Sequence, residues 1–263
     1  MKKLIFVLGL MCSAGSLCAQ TTIPVPTPAQ QQWQDAELVA VFHYDLHVFD
    51  GVQYNHAKNR VTPIGDINIF NPERYDTDQW VRSVKNMGAK IAILTATHET
   101  GFALYQSDVN PYCMKALKWK DGKGDVVRDF VNSCRKYGIR PGIYIGIRWN
   151  AFLGVYDFMV ADDGSELRKN RQQFYNKMCE GMTRELMSRY GELAIVWYDG
   201  EDMVLNWEAR MCCLSWKSIS PASFSIIIRN GRIYAGEDRN RERYRILAGE
   251  LIRILIRTRK TRR

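Results

Sequence analysis

Between Ala36 and Asp199, short and almost continuously apolar runs alternate with segments of helical periodicity, and this constrains the fold of the 263-residue chain most tightly. The apolar runs are Val39 to His43, Lys90 to Ala96 (KIAILTA), Pro141 to Arg148 (PGIYIGIR) and Leu193 to Tyr198 (LAIVWY). Strands apolar on both faces must be covered on both faces, which is the pattern of a parallel sheet with helices packed over it. The intervening segments supply those helices. Thr77 to Asn86 carries Trp80 and Val84 on one face, Asp125 to Tyr137 carries Val126, Phe130, Val131 and Cys134 on a stripe, and Ser165 to Tyr190 is the longest.

Right-handed crossovers between parallel strands leave two architectures, an open doubly wound sheet or a barrel. No glycine-rich phosphate loop follows the first strand, so the dinucleotide-binding form has no support. The expected fold is α/β, a (β/α)8 TIM-like barrel of which residues 36–208 supply about the first half.

Each apolar run ends in polar or aromatic groups: His43, then His98 and Glu99, then Arg148 and Trp149, then Asp199. In a barrel the carboxyl ends of the strands converge on one mouth, where active sites lie. Any one of these residues is an ordinary cap or loop contact, but the four together point to a site for a polar substrate. Trp149 and Trp197 offer flat apolar faces, and they fit equally well as core. Tyr144 faces inward or outward according to register, which spacing does not decide.

The two ends of the chain differ from the middle. Lys2 and Lys3 precede an apolar run, Leu4 to Met11, followed by Ser-Leu-Cys-Ala-Gln. This reads as a signal peptide, residues 1–19, cleaved after Ala19 and too short to span a membrane. Met11 and Leu17 precede Cys12 and Cys18 and argue against a lipoprotein, so the expected location is periplasmic or secreted. Residues 20–35 form a Pro/Gln-rich lead, expected to be extended. Cys113, Cys134, Cys179, Cys212 and Cys213 remain; their spacing fits no zinc site, and they read as buried thiols.

The net charge of +9 belongs to residues 209–263, which hold fourteen Lys/Arg against four Asp/Glu. A basic tail of this kind would ordinarily point to nucleic acid or a membrane surface. Here it is irregular, without helical or strand order, and we read it as a shifted reading frame. Permitted codons from Trp207 to Glu250, read two nucleotides later, give a stop-free, turn-punctuated string. No nucleic-acid or membrane partner is therefore expected.

Several segments together resemble one enzyme family. Glu37-Leu-Val-Ala-Val-Phe-His-Tyr, Phe70-Asn-Pro-Glu-Arg-Tyr-Asp-Thr-Asp-Gln-Trp80, Met87-Gly-Ala-Lys-Ile-Ala-Ile-Leu-Thr with His98-Glu-Thr-Gly-Phe-Ala-Leu-Tyr-Gln-Ser107, Arg128-Asp-Phe-Val and Ile195-Val-Trp-Tyr-Asp-Gly200 follow in order. They are similar to the corresponding stretches of family 29 of the glycoside hydrolases, the α-L-fucosidases. The resemblance implies a retaining exo-glycosidase for terminal α-L-fucose on glycans, with no metal or cofactor. It makes Asp199 the nucleophile and places His43, His98, Glu99, Trp149 and Trp197 around the sugar. One departure stands out: the family's His-His-Asp reads His98-Glu99-Thr100, putting an anionic group where a second histidine binds sugar. The acid/base residue of the family lies beyond the nucleophile strand, and no carboxylate here is identified with it. A half barrel without that acid would be poorly folded and nearly inactive, which makes a catalytically dead fucose-binding remnant the alternative reading. Oligomeric state and linkage preference stay open.

Overall fold

The computed structural model describes residues 28–161, 163–199, 225–229 and 232–235. The signal peptide expected at residues 1–19 and most of the basic tail lie outside the described residues. The strands are β1 (Val39–Phe42), β2 (Ile91–Thr97), β3 (Arg140–Ile145), a hairpin of β4 (Val155–Tyr156) and β5 (Met159–Val160), then β6 (Ile195–Asp199), β7 (Ser225–Arg229) and β8 (Arg232–Ala235). The helices are α1 (Pro28–Gln34), α2 (His56–Asn59), α3 (Thr77–Asn86), α4 (Val126–Tyr137) and α5 (Glu166–Arg189).

One sheet runs β1-β2-β3-β6-β7-β8 and is parallel as far as β7, with β8 antiparallel. Val39 pairs with Ile91, Ile91 with Arg140 and Gly142 with Ile195. The architecture is therefore mixed α/β on a parallel sheet. The helices begin where short polar side chains cap them. Asp76 accepts from the Gln79 amide at 2.9 Å, Asp125 from Arg128 at 2.8 Å and Ser165 from Arg168 at 3.1 Å. Gly138 ends α4 in the left-handed conformation, φ 73°.

Three expectations need correction. The lead is not extended throughout, because Pro28–Gln34 is helical. Proline suits a first helical turn, where its missing N–H costs nothing, and Trp33 packs against the strands at Ile91 and Ile195. The third strand stops at Ile145 rather than Arg148. There the Gly146 amide turns to Thr97, donating to its carbonyl at 3.1 Å and its Oγ1 at 3.0 Å. The tail is not irregular throughout. Its Ser225–Arg229 run, with three β-branched isoleucines, adds to the free edge of β6 as a parallel strand, and Arg232–Ala235 turns back on it.

The main core lies between sheet and helices, where Leu94, Ile143 and Val196 meet Val81, Phe130 and Met182. A smaller apolar group, Ile91, Ile93, Tyr144 and Ile195, occupies the other face. Cys113, Cys134 and Cys179 are buried, and burial pushes the Cys134 thiol up to about 12, in keeping with inert core thiols. Among the described residues no helix is long and apolar enough to cross a membrane.

Candidate active site

Alternation with a period of two sorts the strand side chains. Leu94, Ile143 and Val196 go under the helices, so Ile93, Tyr144 and Ile195 share the opposite face. That face leads to the imidazoles at the carboxyl ends of β1 and β2. The His43 and His98 rings lie 5.0 Å apart, edge to face. Tyr144 is 6.4 Å from His43 and 5.7 Å from His98, and Trp197 stands 5.5 Å beyond Tyr144. Four strands thus contribute one ring each to a continuous row. Asp199 closes β6, two residues past Trp197 and in register with Ile228.

Register, which spacing left open for Tyr144, is decided by pairing: Thr95 lies opposite Tyr144, and Tyr144 opposite Trp197. Trp197 is partly buried, and its indole N–H has no partner among the described residues. A row of two imidazoles, a phenol and an indole can bind a sugar, with polar edges for hydroxyls and ring faces for C–H groups.

A buried carboxylate that the sequence did not single out braces this row. Asp45 is only 6% exposed. It accepts from the Leu46 amide at 2.7 Å, the Thr100 amide at 3.3 Å and the Thr100 hydroxyl, and it approaches His98 Nδ1 at 3.7 Å. It fastens the loop after β1 to the loop after β2, which keeps the two imidazoles together.

The side chains of Glu99 and Trp149 take partners outside the row. Glu99 is buried, with Oε2 accepting from the Tyr54 hydroxyl at 2.6 Å and Oε1 lying 2.8 Å from His56 Nε2. Burial, then the hydrogen bond and charge of Glu99, push the Tyr54 phenol well above its usual range, so it remains a donor. Trp149 meets Tyr156 edge-on at 4.4 Å, with the Arg60 and Arg148 guanidiniums 4.5 and 4.9 Å from its centroid. Arg148 is also bonded to Asp157 at 2.7 Å. No ring contact joins Trp149 to the His43–Trp197 row among the described residues.

Tyr54, His56 and Asp45 have no sequence signature of their own. Only the fold brings Tyr54 and His56 to Glu99, more than forty positions away.

Gly146 sets the closeness of the two strand ends. A methyl placed there would lie 3.0 Å from both His98 Cα and the Thr97 carbonyl oxygen, which are backbone and cannot swing aside. Gly146→Ala is expected to cost about 1–3 kcal/mol of stability and to displace His98 from His43. A denaturant midpoint and the imidazole NMR signals read both effects; a variant with unchanged signals would show that the contact is not limiting.

Polar rings gathered at the carboxyl ends of parallel strands mark the class of α/β catalytic domains, whose working groups collect on that side of the sheet. Within that class the chain belongs to the alpha-L-fucosidase family, whose model matches residues 25–247. A candidate alpha-L-fucosidase from Bacteroides thetaiotaomicron, solved by crystallography, is 50% identical with a TM-score of 0.71, covering 80% of this chain and 48% of that one. A glycoside hydrolase 29 family member from an unknown rumen bacterium is 27% identical with a TM-score of 0.59, over 77% and 36% of the two chains. Alpha-L-fucosidase 1 of Arabidopsis thaliana is 30% identical over 178 residues, 68% of this chain and 31% of the relative. The chain thus spans about a third of the length of curated relatives it matches and about half of the Bacteroides structure.

Proposed function

We propose that this protein is a periplasmic or secreted retaining exo-glycosidase that removes terminal α-L-fucose from glycans. In this reading the sheet is part of a (β/α)8 barrel and the strand ends form its mouth. His43 and His98 hold the sugar hydroxyls, Trp197 lies along its apolar face, and Asp199 attacks the anomeric carbon to give a fucosyl-enzyme ester that water then hydrolyses. Such a mechanism needs a second carboxyl group about 5–5.5 Å from the first to protonate the leaving oxygen. That acid is not assigned to a residue.

The observation that carries the reading is the His43–His98 pair, 5.0 Å apart and continued by Tyr144 to Trp197 on the strand that Asp199 ends. The test is twofold. L-fucose titrated into the full chain should perturb tryptophan fluorescence saturably while D-mannose does not, and an aryl α-L-fucoside should release its phenol. Binding without release favours the fucose-binding remnant, in which Asp199→Asn leaves the affinity unchanged. Neither binding nor release would end both readings.

A further inference from the structure

Glu99 follows His98, yet its side chain is 5% exposed and both oxygens already have protein donors. A buried carboxylate is costly unless fully partnered, and here both partners come from the loop after β1. The backbone carbonyl of Glu99 takes the Ala151 amide at 2.9 Å, so three segments meet at this residue. His56 is the reverse case: its side chain is 60% exposed although its Nε2 is pinned. A carboxylate only accepts, so Nε2 carries the hydrogen, and in the neutral ring Nδ1 is left as an acceptor. Nδ1 has no protein partner among the described residues. The backbone beneath the ring is held too, because Asn55 accepts from the Lys58 amide at 3.2 Å and donates its own amide to Asn59 Oδ1 at 2.8 Å.

We propose that Glu99 is a positioning residue, and that His56, oriented by it, is the group that contacts a sugar hydroxyl beside the His43–His98 pair. This rests on the fucose reading above and changes which residue reads the sugar. The chemistry follows from the two exposures. A ligand at the mouth cannot reach an oxygen that Tyr54 and His56 already cover, whereas an exposed imidazole with its tautomer set accepts from a hydroxyl without first reorganising.

Full-length variants decide the matter. His56→Ala removes an exposed ring and Glu99→Gln keeps the shape of the buried group, so both should fold. Each is expected to weaken L-fucose binding about tenfold, the worth of one well-placed hydrogen bond. The double variant should lose little more than either single one, since both act through one contact. Nitrogen-15 NMR of the native chain should show His56 as the Nε2–H tautomer, and Glu99→Gln should populate both tautomers, a change that a merely structural Glu99 would not produce. Fucose affinity that survives His56→Ala, or losses that add in the double variant, would overturn the assignment. A native chain that binds no fucose at all would sink the functional reading instead.

Discussion

Replacing Glu185 by alanine is expected to destabilise the domain by about 3–5 kcal/mol, the range for breaking a buried, fully partnered charge. Glu185 lies on α5, 5% exposed, beneath the loop that leaves β2. Its Oε2 accepts from the Tyr105 hydroxyl at 3.0 Å and the Ser107 hydroxyl at 2.8 Å. Its Oε1 takes the Asp108 amide at 2.7 Å and lies 3.2 Å from the Arg189 guanidinium. Truncation strands the Tyr105 and Ser107 hydroxyls in the interior, where each has lost water on folding and gains nothing in return. Burial, then the charge of Glu185, hold the Tyr105 phenol far above its ordinary range, so it cannot relieve the defect by ionising. Urea unfolding followed by tyrosine and tryptophan fluorescence measures the loss, and a fall in Tm on the order of 10 °C should accompany it. Glu185→Gln keeps an acceptor for at least one donor and should lose less. A loss below about 1 kcal/mol for the alanine variant would show that the network relaxes around the gap.

The second large effect is on chemistry. Wherever α-fucoside hydrolysis is measured for this protein, Asp199→Asn is expected to lower kcat by on the order of 10⁴-fold or more, as loss of a covalent nucleophile does in other hydrolases. The amide is nearly isosteric with the carboxylate but cannot form the ester, so fucose affinity and unfolding midpoint should stay close to native values. Asp199→Gly leaves room for a small external nucleophile, and azide should then restore turnover while yielding a fucosyl azide of inverted configuration. Residual activity above a tenth of native in the asparagine variant would remove Asp199 from the role.

Much of the domain was legible along the chain because its signals are local. The helices begin within a residue of Thr77, Asp125 and Ser165, where the sequence sets them, since a side chain at each N-terminus caps it and an apolar stripe gives it a face. The buried strands at Ile91 and Ile195 were equally visible, because a run apolar on both faces has few other places to go. The α1 helix has no such local signal: its Pro/Gln composition resembles a linker, and what holds it is Trp33 against strands far along the chain.

Along the chain, residue identity and strand position point alike to His43, His98, Glu99, Arg148, Trp149 and Asp199, because polar groups ending apolar strands are conspicuous in one dimension. Which of the rings meet was settled only by pairing between strands. The Thr95–Tyr144 and Tyr144–Trp197 register put four rings in one row and left Trp149 with two arginines elsewhere. The partners of Glu99 were likewise invisible in advance. Hydrogen-bond partners over long separations depend on where a loop is laid down, and a carboxylate reads the same along the chain whether it faces substrate or is covered by a tyrosine and a histidine.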